Sequence, residues 1–180
     1  SSGNLAGNGA NNLGQLLART YFWNGTDEIV FGAVKLGVLM KVAFALGVVV
    51  CAFALARHDR RNDVRALAAM VAPWLLFYAL MPQQSGRYLV WGAAVSSLLV
   101  GIGVGPMLLH VIVSIASGLT IVHVLIIYSN NPAWWPALTQ FLDALHPGSA
   151  WLTLALAAVV MWMALTPSSI SRGSPSPPSP

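Results

Sequence analysis

Five stretches of this 180-residue chain are apolar for longer than any loop requires: Val34–Ala56, Ala66–Met81, Tyr88–Gly105, Met107–Tyr128 and Ala150–Thr166. A helix crossing the hydrocarbon core of a bilayer needs about 20 apolar residues, within a range of about 17–25. In hydrocarbon, every backbone N–H and C=O must find its partner inside the protein, so an uninterrupted apolar run is predicted to be helical. The expected fold class is all-α: a polytopic integral membrane helical bundle of about five transmembrane helices. The second stretch is the shortest, and Pro73 inside it predicts a kink that neighbouring helices must accommodate.

Composition agrees. Hydrophobic residues make up 57% of the chain and charged residues 8%, against about 25% charged in a soluble domain. Mean hydropathy is +0.71. The net charge of +4 is small and locally clustered, and no basic face with interleaved aromatics suggests a nucleic-acid partner. Cys51 is the single cysteine, which excludes an internal disulfide or a cysteine metal site. The chain opens on Ser1 with neither a basic n-region nor a signal-type apolar region, and reads as a portion of something longer.

Lys and Arg in short loops orient membrane proteins, with the positive loops inside. The segment RHDRRNDVR carries Arg57, Arg60, Arg61 and Arg65 and is therefore expected in the cytoplasm. That places residues 1–28, the turn at 82–87 and the segment 129–149 outside, and the Gly105–Pro106 turn and Arg172 inside. Trp23, Trp91, Trp134, Trp135 and Trp151 then gather at the outer interface, which suits amphipathic rings. Lys35 and Lys41 run against the rule, because both fall in the outer half of the first stretch.

Two outer segments have the pattern of interfacial helices lying on their apolar faces. Leu13, Leu16, Leu17 and Tyr21 recur at helical spacing, as do Leu138, Phe141, Leu142 and Leu145 opposite Thr139, Gln140 and Asp143. The expected organisation is an extracytoplasmic segment over 1–28, a transmembrane helical domain over 29–166, and a disordered Ser/Pro-rich tail over 167–180.

Ionisable groups are so few that each needs a reason. Arg87, in MPQQSGRYLVW, stands where the third apolar stretch begins. One reading has it snorkel to the outer headgroups. The other makes it an anion site, since a guanidinium presents a rigid fork of donors suited to phosphate. Pro82 and Gly86 break the helices beside it, and Gln83, Gln84 and Ser85 add donors. Lys41 lies deeper, where snorkelling is harder; it faces an anionic ligand, makes an interhelical contact, or bends its side chain up toward the interface. Asp27 and Glu28 diverge on a helix and suit its N-terminus better than a catalytic pair. Asp143 reads as a solvated face. His110 and His123 project about 220° apart around one helix, while His58 falls in the basic loop and His146 in an outer loop; no metal site is expected. The run GIGVGP, Gly101 to Pro106, lacks the full dinucleotide fingerprint and predicts close helix packing followed by a tight turn. Asn24-Gly25-Thr26 fits the glycosylation pattern, which has meaning only in a eukaryotic secretory pathway.

The run MPQQSGRYLVWGAAVSSL resembles the late segment of bacterial GT-C-type integral membrane glycosyltransferases. In these, a motif close to P-Q-M-H-E-R-Y-L precedes a transmembrane helix. Pro82, Gln83, Arg87, Tyr88 and Leu89 match it, whereas Gln84, Ser85 and Gly86 depart from it. The segment NNLGQLLARTYFW is similar to an extracytoplasmic segment of such proteins, and the likeness runs from about Asn11 to Tyr128. The resemblance implies a C-terminal portion of an enzyme that transfers a sugar from a polyprenyl-phosphate carrier on the extracytoplasmic side. Its catalytic acid lies upstream of these residues, in an N-terminal transmembrane half outside this chain. On this reading the chain carries no catalytic residue and needs no cofactor or metal. Arg87, Tyr88, Gln83 and Lys41 are the substrate-binding candidates, the lipid-linked sugar and membrane lipids are the partners, and the bacterial inner membrane is the location. The alternative is a non-enzymatic polytopic membrane protein, either a transporter component or an assembly subunit.

Overall fold

The computed structural model describes residues 13, 16, 29–30, 34–81, 88–128 and 136–166. The fold is all-α. Two short strands, β1 (Ile29–Val30) and β2 (Val34–Lys35), pair antiparallel with Ile29 opposite Lys35 just before the first long helix. Five helices follow: α1 (Leu36–Asp59), α2 (Ala66–Leu80), α3 (Leu89–Ser96) with a 3-10 extension over Ser97–Gly101, α4 (Val104–Tyr128) and α5 (Pro136–Leu165). Among the described residues, three segments are long and apolar enough to cross a membrane: Leu36–Asp59, Val104–Ile126 and Gly148–Leu165. The segments Ala66–Leu80 and Leu89–Gly101 are apolar but shorter. Leu13 and Leu16 are helical, and Leu16 is buried. The rest of the first interfacial pattern, Asp27, Glu28, the glycosylation pattern, the tail and three of the clustered tryptophans (Trp23, Trp134, Trp135) lie outside the described residues.

The short helix α2 is the hub. It packs against α1, α5, α3 and the 3-10 segment. Ala68, Val71, Ala72, Tyr78 and Ala79 are fully shielded there, and Leu75 nearly so. Its many alanines let neighbouring backbones approach without a driving force from water, as small residues do inside membranes. The partner glycines are Gly47 of α1 and Gly92 of α3: a Cβ at Gly47 would meet Leu76 Cδ1 at 2.9 Å, and one at Gly92 would meet Leu75 Cδ2 at 3.0 Å. The helix continues through Pro73. By contrast α1 has 17% of its most apolar window buried. Val38, Leu46 and Phe53 stand outward, an exposure that hydrocarbon tolerates and water does not.

Three expectations change. The third apolar stretch is not one α-helix. The hydroxyls of Ser96 and Ser97 donate back to the carbonyls of Ala93 (2.8 Å) and Ala94 (2.7 Å), and such back-bonding deforms a helix. The chain tightens into the 3-10 turn there and ends it at Gly101. The reversal then falls at Ile102–Gly103, not at Gly105–Pro106, which sit in the first turn of α4, where proline is well tolerated. A Cβ on Gly101, Gly103 or Gly105 would meet no neighbouring atom within 4 Å, so none of them makes a close helix contact, and Gly103 serves the reversal with its φ of 157°. Finally, the second interfacial pattern and the last apolar stretch form one helix, because α5 runs unbroken through Pro147 and Gly148. At 1.5 Å per residue it is about 45 Å long, against about 30 Å of hydrocarbon. Its first turns therefore extend past the Gly148–Leu165 segment.

Candidate functional site

The helices alternate in direction, so one end of the bundle gathers the start of α1, the end of α2 and the start of α3. Of the four substrate-binding candidates, Lys41 and Tyr88 are described and both stand at this end; Gln83 and Arg87 lie outside the described residues. Lys35 precedes the helix as its extended N-cap residue and so lies at the end of the apolar stretch rather than within the helix. Lys41 is an exposed residue of α1, five positions beyond its start and so about 8 Å along. One turn further, Phe44 meets Phe77 of α2 edge-on, with ring centroids 5.7 Å apart. Phe77 in turn meets Tyr88 edge-on at 6.4 Å, a favoured aromatic geometry. This ladder ties the beginning of α3 to the turn of α1 that follows Lys41. Tyr88 itself is half-exposed.

The opposite end is built differently. His58 closes α1 and is 1% exposed, inside the protein rather than in an open basic loop as its sequence context suggests. Its Nδ1 faces Asp63 Oδ2 at 3.0 Å and its Nε2 faces the Ala164 carbonyl at 2.7 Å. Each ring nitrogen thus faces an oxygen acceptor. Asp63 uses its second oxygen as well: Oδ1 accepts the Arg65 backbone N–H at 3.0 Å. The Asp63 N–H donates to the His58 carbonyl at 3.0 Å, and Asn62 adopts a left-handed φ of 50°, which asparagine tolerates. Arg65 Nη1 donates to the Thr166 carbonyl at 2.8 Å and to the Thr166 hydroxyl. His58 and Arg65 thus supply donors to carbonyls at the C-terminal end of α5. Those carbonyls have no partner within the helix, and the helix dipole there favours cations.

Beside this network runs an open groove of about 200 Å³ between α1 and α5, with Arg57 at its rim. Among the described residues no ion pair holds Arg57, Arg60 or Arg61. A third polar contact lies between α3 and α4. The fully buried Ser96 hydroxyl donates to Ala93, and its oxygen stands 2.9 Å from His110 Nδ1. His123 is buried on the same helix as His110. Among the described residues no group of three or more His, Cys, Asp or Glu could hold a metal ion.

The sequence reading missed the His58–Asp63–Arg65–Thr166 network. A His and an Asp five residues apart, around an Asn-Asp turn at the end of an apolar run, was the available signal. Its partners on α5 carried none, since two of the acceptors are backbone carbonyls. No family model matches the chain, and no curated protein or solved structure matches it at a significant level.

Proposed function

We propose that the chain is the C-terminal, membrane-embedded portion of a transferase that takes a sugar from a polyprenyl-phosphate carrier on the extracytoplasmic side. The observation that carries this reading is the convergence at one end of the bundle. Tyr88, in the partial P-Q-M-H-E-R-Y-L motif, joins through Phe77 and Phe44 to the helix turn next to the exposed Lys41. In this reading Arg87 and Lys41 neutralise the carrier phosphate, with Gln83 and Tyr88 beside them. The Arg57–Arg65 end faces the cytoplasm of a bacterial cell, and the catalytic acid belongs to an N-terminal half. In the enzyme expressed from its complete reading frame, Arg87→Ala is expected to lower transfer from the polyprenyl-phosphate sugar at least tenfold with normal folding. Unchanged carrier binding and transfer would overturn the assignment.

The second reading, a non-enzymatic subunit of a membrane assembly, draws on the exposed flank of α1, whose most apolar window is only 17% buried. Such a flank suits a partner helix as well as lipid. It predicts co-purification with a fixed partner in a defined ratio, and no carrier binding.

A further inference from the structure

The groove between α1 and α5 has no role in the reading above. Val50, Phe53, Ala54 and Leu165 wall it, while Arg57 and His58 close one end. Val50 and Phe53 are outward-facing residues of a helix that suits hydrocarbon, and Phe53 is 74% exposed. At about 200 Å³ the groove is smaller than the roughly 300–1,000 Å³ of a typical small-molecule pocket, and it is open along its side. Its shape suits a length of hydrocarbon chain rather than a compact solute.

Charge identifies the head of that chain. Arg57 is exposed and has no ionic partner among the described residues, and the exposed Arg60 and Arg61 follow within one turn. Of the two carboxylates in this segment, Asp63 is engaged by His58 and is 7% exposed, while Asp59 is exposed and forms no ion pair with these arginines among the described residues. Three exposed guanidinium groups against one exposed carboxylate leave this end of the groove net positive at the level where the apolar helix stops. A guanidinium there matches a phosphate diester geometrically as well as electrically, and basic pockets between spanning helices are sites for anionic headgroups.

We propose that this groove is a binding site for an anionic glycerophospholipid, with one acyl chain along Val50, Phe53, Ala54 and Leu165 and the headgroup phosphate on Arg57. The site requires the helices to cross a bilayer, but it is independent of the proposed sugar transfer and lies at the other end of the bundle. The lipid would bridge the outer flank of α1 to the end of α5, next to the His58 contact with Ala164.

The test is native mass spectrometry of the full chain in detergent, with phosphatidylglycerol or phosphatidylcholine of identical acyl chains. Phosphatidylglycerol is expected to be retained at least fivefold more than phosphatidylcholine, and Arg57→Gln to remove about fivefold of that retention. Arg57→Lys should keep most of it. Val50→Trp, which fills the groove and leaves the charges in place, should also remove it. Equal retention of the two lipids would overturn the proposal. So would loss with Arg57→Gln but full retention with Val50→Trp, which would mark plain surface attraction without a groove.

Discussion

The polar side chains that stand out at the two ends of the bundle are held in different ways. At the α1–α5 end, His58 and Arg65 are committed: each donates to the C-terminal turn of α5, and Asp63 fixes the histidine from the other side. At the α1–α3 end the contacts between helices are aromatic edges, and Lys41 stands exposed beside them. Removing a side chain of the first kind strands acceptors at the end of α5. Removing one of the second kind strands nothing in the fold. Polar side chains are thus committed to the fold in the His58–Arg65 network and open to a ligand at Lys41, as at the exposed Arg57 beside that network, and the difference lies in burial and partners rather than in residue type.

The largest expected effect breaks the committed end. His58→Ala leaves the Ala164 carbonyl without its side-chain donor and removes one of the contacts of the Asp63 carboxylate, and should cost about 1–3 kcal/mol, as an unsatisfied buried polar group does. Unfolding by titration with denaturing detergent measures it, and a loss below about 1 kcal/mol would mean that water replaces the ring. Next is Gly47→Val, which drives a branched side chain into Leu76. A destabilisation of about 1–3 kcal/mol is expected from overpacking, and adding Leu76→Ala should recover part of it. Phe77→Leu removes both edge contacts of the aromatic ladder and should cost about 0.5–1.5 kcal/mol, with greater protease sensitivity at the start of α3 as a second readout. Smallest is Lys41→Ala, expected to change stability by less than about 0.5 kcal/mol while weakening binding of a polyprenyl phosphate. A large stability loss there would place Lys41 with Arg65 as a structural cation.

What could be read in the sequence follows from the range of the interactions. The all-α class, α1 and α4 were legible because a long apolar run leaves the backbone no alternative to its own helical bonds. The division of the third stretch was not, since it depends on where the Ser96 and Ser97 hydroxyls turn. The continuity of α5 was hidden by Pro147 and Gly148, which usually break a helix and here do not. The His58 contact with Ala164 spans 106 residues and ends on a carbonyl, an acceptor that every residue has. Of the candidate site, Tyr88 and Lys41 stand at one end of the bundle, and the aromatic ladder connecting them depends on the packing of α2. Gln83 and Arg87 rest on the motif alone.

The central proposal is that these two ends face opposite sides of a membrane, with the Arg57–Arg65 end in the cytoplasm. Cysteine accessibility in intact cells tests it directly, with the buried Cys51, 1% exposed, left in place as an internal control. A membrane-impermeant maleimide is expected to label Ser85→Cys in intact cells and to label Arg61→Cys only after the membrane is permeabilised. Labelling of Arg61→Cys from outside intact cells, with Ser85→Cys protected, would contradict the account.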